Sequence, residues 1–322
     1  MPAFPHVWLD RFFIRVASKS VRAGFFDEAQ IPEAERLLSA GLLPAEPPPM
    51  AWDHKPGPFA LPSPLPRGGA ANHTIHGEFH PAPGGWEGKP TALLIHGWNG
   101  EWQYQWFFPR LARWLNAAGF NALRFLLPLH GRRKPSEPGA IRNFISDDLA
   151  STLHAARQAL AEIAGWTALL RRQGSGPACL WGYSLGAWLA GLAATSATPP
   201  DAAILATPVC DMAAAIQELE FCAPIRSALR QRPLDLTPLS LERHTPRIPP
   251  SRILMFRGLQ DQFAPIESLQ SLQRAWGGPE IQSSQGGHIS LLFGQAPHQA
   301  AIEWLRNALT TPNLPSPPGA RG

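Results

Sequence analysis

Three residues whose side chains can cooperate in acyl chemistry follow one another along the chain: Ser184, Asp261 and His288. Ser184 stands in Gly182-Tyr-Ser184-Leu-Gly186, between the apolar run Ala178–Gly182 and an Ala/Leu-rich stretch. A serine hydroxyl is a weak nucleophile until a base takes its proton, and the base needs an acid to hold its tautomer. His288, in Gly286-Gly287-His288-Ile-Ser290, supplies a base. Asp261, 27 residues earlier, follows the apolar run Arg252–Arg257 and supplies an acid. The serine also has an ordinary explanation, as an N-cap after a strand. Asp211, after the run Ala202–Ala206, competes for the place of the acid, with an N-cap of a helix over Met212–Glu220 as its structural alternative.

These residues need elements to hold them. The pattern predicts a strand pair around Asn72–His80, then strands at Thr91–Ile95, Phe120–Leu127, Ala178–Gly182, Ala202–Ala206, Arg252–Arg257 and Glu280–Ser283. Helices alternate with them near 104–118, 142–171 (with a break around Gly165), 185–195, 265–276 and 289–309. Continuous apolar strands separated by helices imply an α/β fold, a mostly parallel sheet covered on both faces. Ligands of such sheets bind at the carboxyl ends of the strands, where Ser184, Asp211 and Asp261 all fall. The Gly-x-Ser-x-Gly spacing suits a tight strand-to-helix turn in which bulkier neighbours than Gly182 and Gly186 would strike the backbone.

Together with His96-Gly97-Trp98-Asn99-Gly100 after the strand Thr91–Ile95, these segments resemble the α/β-hydrolase superfamily over about residues 72–310. The order Ser, Asp, His is that of the superfamily. The resemblance implies an α/β-hydrolase fold in which Ser184 is the nucleophile, His288 the general base and Asp261 its orienting acid. It further implies an oxyanion hole built from the backbone N–H groups of Trp98 and Leu185. The His-Gly-x-x-Gly loop is similar to that of acetyl-xylan-esterase-like and dienelactone-hydrolase-like members. A serine rather than a cysteine at 184 disfavours dienelactone hydrolysis itself. The implied activity is cleavage of a small-molecule carboxylic ester through an acyl-enzyme, with no cofactor. Acyl transfer or thioester hydrolysis with the same triad is one alternative, and a catalytically silent binding protein of the same fold is another.

Other residues invite further readings. His130, Arg132 and Arg133, in the loop after Leu127, could hold an anionic group of the substrate. His96 precedes the nucleophile and is expected to brace the oxyanion loop. His73, His76 and His80 do not converge in a strand, since His73 faces away from the other two, so no metal is expected. Residues 1–43 read as an amphipathic helical segment. Within it, 8–26 sets Leu9, Phe13, Val16 and Ala17 against Arg11, Arg15, Lys19 and Arg22, a pattern for peripheral contact with an anionic membrane or for packing on the body. Residues 44–71 hold nine prolines after position 43 and read as a linker, for which a helix or central strand is forbidden. A cap insertion is expected at about 210–250 and a flexible Pro-rich tail at 311–322.

Composition limits the remaining classes. With 44% hydrophobic and 16% charged residues, the 322-residue chain can bury a large core. No apolar run approaches the ~20 residues that cross a bilayer. The formal charge is only +4, and of the 28 basic residues only Lys19, Lys55, Lys89 and Lys134 are lysines, so nucleic acid is not an expected partner. Asp10, Arg11 and Arg15 interrupt any signal-peptide core, and three cysteines form no metal spacing. A cytoplasmic location is the expectation.

Overall fold

The computed structural model describes residues 4–18 and 26–310. In chain order the elements begin with α1 (Phe4–Ser18), α2 (Ile31–Ala40), β1 (Gly57–Pro62), β2 (Thr74–His80), β3 (Thr91–Ile95) and α3 (Phe108–Ala117). Next come β4 (Asn121–Phe125), α4 (Leu149–Arg172), β5 (Ala178–Tyr183), α5 (Leu185–Ala194) and β6 (Ala202–Ala206). The remainder is α6 (Met212–Glu218), α7 (Ala223–Gln231), β7 (Ile253–Gly258), α8 (Ile266–Ala275), β8 (Glu280–Ser284) and α9 (Gln295–Thr310).

The strands form one eight-stranded sheet in the order β1-β2-β4-β3-β5-β6-β7-β8. Pairs β1/β2 and β2/β4 are antiparallel, and every later pair is parallel. All residues of β3, β4, β5, β6 and β7 are buried, as strands covered on both faces must be. Alternate residues serve the two faces. Leu93, Ile95, Leu205 and Met255 join the core beneath α4 and α5, while Leu94, Trp181, Ile204 and Phe256 join the core beneath α3 and α9. Burial of each such side chain contributes about 1.5–3 kcal/mol. Every residue of α5 is buried, because the helix behind Ser184 lies inside the protein and needs no polar face.

The structure redraws three of the expected elements. The expected strand pair at 72–80 is a single strand, β2, and its partner β1 comes from within the Pro-rich segment. Pro58 and Pro62 are tolerated because β1 is an edge strand that pairs on one side only. The rest of that segment lies over the body, with Trp52 packed against Phe59, Phe79 and Trp166. Helix α4 runs unbroken through Gly165. A Cβ there would lie 2.5 Å from Met50 Sδ, so the glycine admits the Pro-rich segment and breaks nothing. Helix α4 starts later than expected, at the N-cap Asp148, whose carboxylate accepts from Ser151 N at 2.9 Å. The helix expected from Ile289 begins as a 3-10 turn, Ser290–Phe293, before α9. Among the described residues, no helix is long and apolar enough to cross a membrane.

Candidate active site

Ser184 sits between β5 and α5 with φ 53° and ψ −114°, a strained conformation for a residue with a Cβ. Strain of this kind, of order 1–3 kcal/mol, persists only where the surroundings enforce it. A Cβ on Gly182 would lie 2.1 Å from the Gly186 carbonyl oxygen, and one on Gly186 would lie 2.2 Å from the Ile95 carbonyl oxygen. The two glycines therefore let α5 start hard against β5 and β3. The Ser184 side chain caps nothing, which removes the N-cap explanation.

The histidine and the aspartate meet by a different route. Asp261 follows β7, and its Oδ1 accepts from the backbone N–H groups of Phe263 at 2.8 Å and Ala264 at 3.0 Å. His288 follows β8, and its Nδ1 lies 3.0 Å and 2.9 Å from the two Asp261 oxygens. With that hydrogen on Nδ1, Nε2 is the nitrogen left to accept a proton. The Phe263 ring stacks on the imidazole at 4.4 Å and shields it from water. Burial opposes the charged form of His288, but the charge and hydrogen bond of Asp261 and the charge of Asp10 outweigh it, so its pKa is raised. Asp211 is committed elsewhere. It caps α6, accepting from Ala213 N at 2.9 Å and Ala214 N at 3.1 Å.

Ser184 and His288 line one cavity of about 350 Å³, together with Trp98 and Leu185. Its walls are apolar. Met212, Ile216 and Ile225, between β6 and β7, form one side, and Leu149, Leu153 and Trp188 form another. The lining includes no lysine or arginine; Glu101, His288 and the thiol of Cys222 are its titratable side chains.

The loop after β3 is held from below. His96 is fully buried, with Nδ1 donating to Gly97 O at 2.7 Å and Nε2 accepting from Leu127 N at 3.0 Å. A Cβ on Gly100 would lie 2.5 Å from Gly97 O, so the loop closes only with glycine there. Gly97 N donates to Gln103 Oε1 at 2.8 Å. Gln103 opens a π-turn, Gln103–Phe107, that leads into α3 and turns this side chain inward. Burial pushes the pKa of His96 down to about 4, so it is a neutral brace.

The structure corrects the reading of the basic loop, because His130, Arg132 and Arg133 do not line the cavity. His130 is buried, and its Nε2 accepts from Asn99 N at 3.2 Å. Burial and then the neighbouring His96 push its pKa down to about 3. Arg133 is fully buried in a two-pronged ion pair with Glu162 of α4, at 2.7 and 2.6 Å, and also donates to Leu126 O. Lys134 pairs with Glu101 at 2.5 Å, and Arg132 alone is exposed. Consecutive cations in sequence thus point to different places, two of them into ion pairs.

His73 ends a short turn and donates to Gly68 O, and no group of three metal-ligating side chains occurs among the described residues. Cys179, Cys210 and Cys222 are unpaired and buried; burial pushes the Cys222 thiol up to about 12.

Helix α1 packs between the segment before α7 and the turn after His288, with Phe13 and Val16 on the cavity lining. Trp8, Phe12 and Val16 remain 59%, 48% and 45% exposed, and Arg11 and Arg15 are exposed beside them. Lys19 and Arg22 lie outside the described residues. Asp10, the single acidic residue of α1, turns inward to the His288 loop. Its sequence signal was one carboxylate next to an apolar stripe, which does not reveal its partner.

A single sheet with a strained serine after its central strand, and a His–Asp pair on the loops after β7 and β8, defines the α/β-hydrolase architecture. Residues 92–316 match the alpha/beta hydrolase family, and the chain belongs to it. It is 29% identical over 237 residues to an uncharacterized protein of Mycobacterium tuberculosis, covering 70% of this chain and 55% of that protein. The chain therefore spans about half the length of the curated relatives that it matches. Among solved structures, it resembles an acetyl xylan esterase from Paenibacillus sp. R4, with a TM-score of 0.55 and 17% identity over 89% of this chain and 98% of that one. It also resembles Est1E from Butyrivibrio proteoclasticus, with a TM-score of 0.53 and 14% identity over 74% and 96% of the two chains. At these identities the likeness concerns the fold.

Proposed function

We propose that the protein is a serine hydrolase that cleaves carboxylic esters carrying an uncharged, apolar group. The observation that carries this reading is the strained Ser184 opening into the same apolar cavity as His288, itself paired with Asp261. In the first step Ser184 Oγ attacks the ester carbonyl while His288 Nε2 takes the hydroxyl proton. The Trp98 and Leu185 N–H groups receive the oxyanion. Collapse breaks the bond to the alcohol, which leaves with the proton from His288. Water, deprotonated by the same histidine, then releases the acid and restores Ser184. Asp261 keeps the Nδ1 hydrogen in place and stabilises the imidazolium.

His288 must be neutral to act, and its raised pKa places the acid limb of kcat/KM above the ordinary histidine value of ~6.5. An anionic acyl group would meet no cation in the cavity and would lie near Glu101, so its KM should exceed that of a neutral ester of equal length by about 100-fold or more. The test is labelling with a fluorophosphonate, followed by a panel of p-nitrophenyl esters and matched thioesters. An adduct on Ser184 with neutral esters preferred supports the reading. An adduct elsewhere, or none, overturns it.

The exposed ridge Trp8, Phe12 and Val16 beside Arg11 and Arg15 also fits an anionic bilayer at the mouth of the cavity. Sedimentation with vesicles containing phosphatidylserine should be lost in Trp8→Ser/Phe12→Ser. Equal recovery of both proteins, or no sedimentation of either, rejects the contact.

A further inference from the structure

The carboxylate of Asp10 lies far from the triad in sequence and is fully buried against it. Oδ2 accepts from His288 N at 2.7 Å and Gln262 N at 3.2 Å, and Oδ1 accepts from Ile289 N at 3.0 Å. One side chain thus holds the backbone on both loops that carry the His–Asp pair. Gly287 is shaped to it, since a Cβ there would lie 2.5 Å from Asp10 Oδ2. Gly258 permits the two loops themselves to touch, since a Cβ there would lie 2.4 Å from Gly286 O, and Gln260 N donates to Gly286 O at 2.8 Å.

We propose that Asp10 is a positioning residue for His288, which fixes the histidine and aspartate loops in one register and stabilises the imidazolium by its negative charge. The proposal rests on His288 being the general base. A charge that favours the imidazolium acts more strongly in the transition state than in the resting enzyme, where the ring is neutral, so it lowers the barrier rather than tightening substrate binding. The charged groups acting on His288 are Asp261 from the loop after β7 and Asp10 from α1, while Phe263 covers the ring face.

An ordinary helix anchor would not need an ionised carboxylate. Burial raises the pKa of Asp10, against the backbone hydrogen bonds from Ile289 and His288 and the His288 charge, which lower it; Asp261 adds to the rise. Since the folded pKa is above the unfolded one, the favourable contribution is present below ~3.8 and is lost as pH rises through the folded value. Both of its oxygens nevertheless receive only N–H donors, the partner set of an ionised carboxylate, and a charge held there against burial acts on the imidazole.

The experiment follows the titration of His288 by NMR of 13C- and 15N-labelled histidine, which needs no turnover, beside kcat/KM against pH for a neutral ester. Asp10→Asn keeps the shape but removes the charge and, having one amide oxygen, at least one acceptor. It should lower the His288 midpoint by roughly one pH unit and move the acid limb down with it. It should also reduce kcat on the order of 10- to 100-fold with KM nearly unchanged. Asp10→Glu keeps the charge and should hold the midpoint near that of the wild type, even where its extra methylene slows turnover. If Asp10→Asn does not fold, a His288 midpoint lowered by about one pH unit in Asp10→Glu, which keeps the charge, overturns the proposal. An unshifted midpoint in folded Asp10→Asn, or an equal shift in Asp10→Glu, overturns the proposal. A wild-type protein that hydrolyses no ester would defeat the functional reading and leave the titration result standing.

Discussion

The turn at Ser184 and the corner at His288 contribute to one cavity but are built on opposite plans. The serine turn is local. Five consecutive residues supply the strand end, the strained backbone and the two glycines that allow it, and the neighbours they approach are the adjacent strand and their own helix. The histidine corner is assembled from three segments: Asp10 of α1, Gln260 to Ala264 after β7, and Gly286 to Ile289 after β8. A local device tolerates distant change, whereas an assembled one depends on each of its distant parts. The difference teaches where to look for control of the site, since only the corner can be altered by moving an element such as α1.

Variants break the comparison at both ends. The largest effect should come from Ser184→Ala, which should reduce kcat by on the order of 10⁶ and abolish fluorophosphonate labelling while leaving the circular dichroism unchanged. Residual labelling at another serine would move the nucleophile. Asp261→Asn should cost about 10⁴ in kcat, because an amide can hold the wrong tautomer of His288. A loss below tenfold would show that Asp10 alone suffices as the acidic neighbour.

Smaller effects concern residues that look chemical but hold structure. Arg133→Met strands Glu162 in the core and should destabilise the fold by about 3–5 kcal/mol in urea unfolding. Any surviving folded fraction should show an unaltered preference for neutral over anionic esters. Arg132→Ala should change neither stability nor KM. A rise in KM for anionic esters alone in Arg132→Ala would return the loop to substrate binding. The smallest effect is expected from Asp211→Asn, where asparagine still caps α6, so unfolding should change by less than about 1 kcal/mol and kcat by less than twofold.

The elements written as continuous apolar runs were the most legible. Strands β3, β5, β6 and β7 read as apolar runs because both sides of them are covered, and the loops after them carried Ser184 and Asp261 where a parallel sheet places ligands. Strand β1 was hidden by its prolines, since whether a strand lies at an edge depends on its neighbours. The role of Gly165 was hidden for the same reason, because its spacing from Met50 is not a sequence distance.

Local physics explains what the chain's own letters determined. The Gly182–Gly186 turn, the His96–Gly100 loop and the order of serine, aspartate and histidine are set by short-range sterics and by strand and helix periodicity. Tertiary structure alone decided which charges meet. Arg133 found Glu162 across 29 residues, and His288 found Asp10 across 278. Electrostatic and hydrogen-bond partners are chosen by distance in space and by the cost of burying a charge unpaired, and neither quantity is written in the order of residues. Three adjacent cations could therefore be seen in the sequence, but not that two of them are bound within the protein, nor that a lone aspartate in the first helix completes the corner at His288.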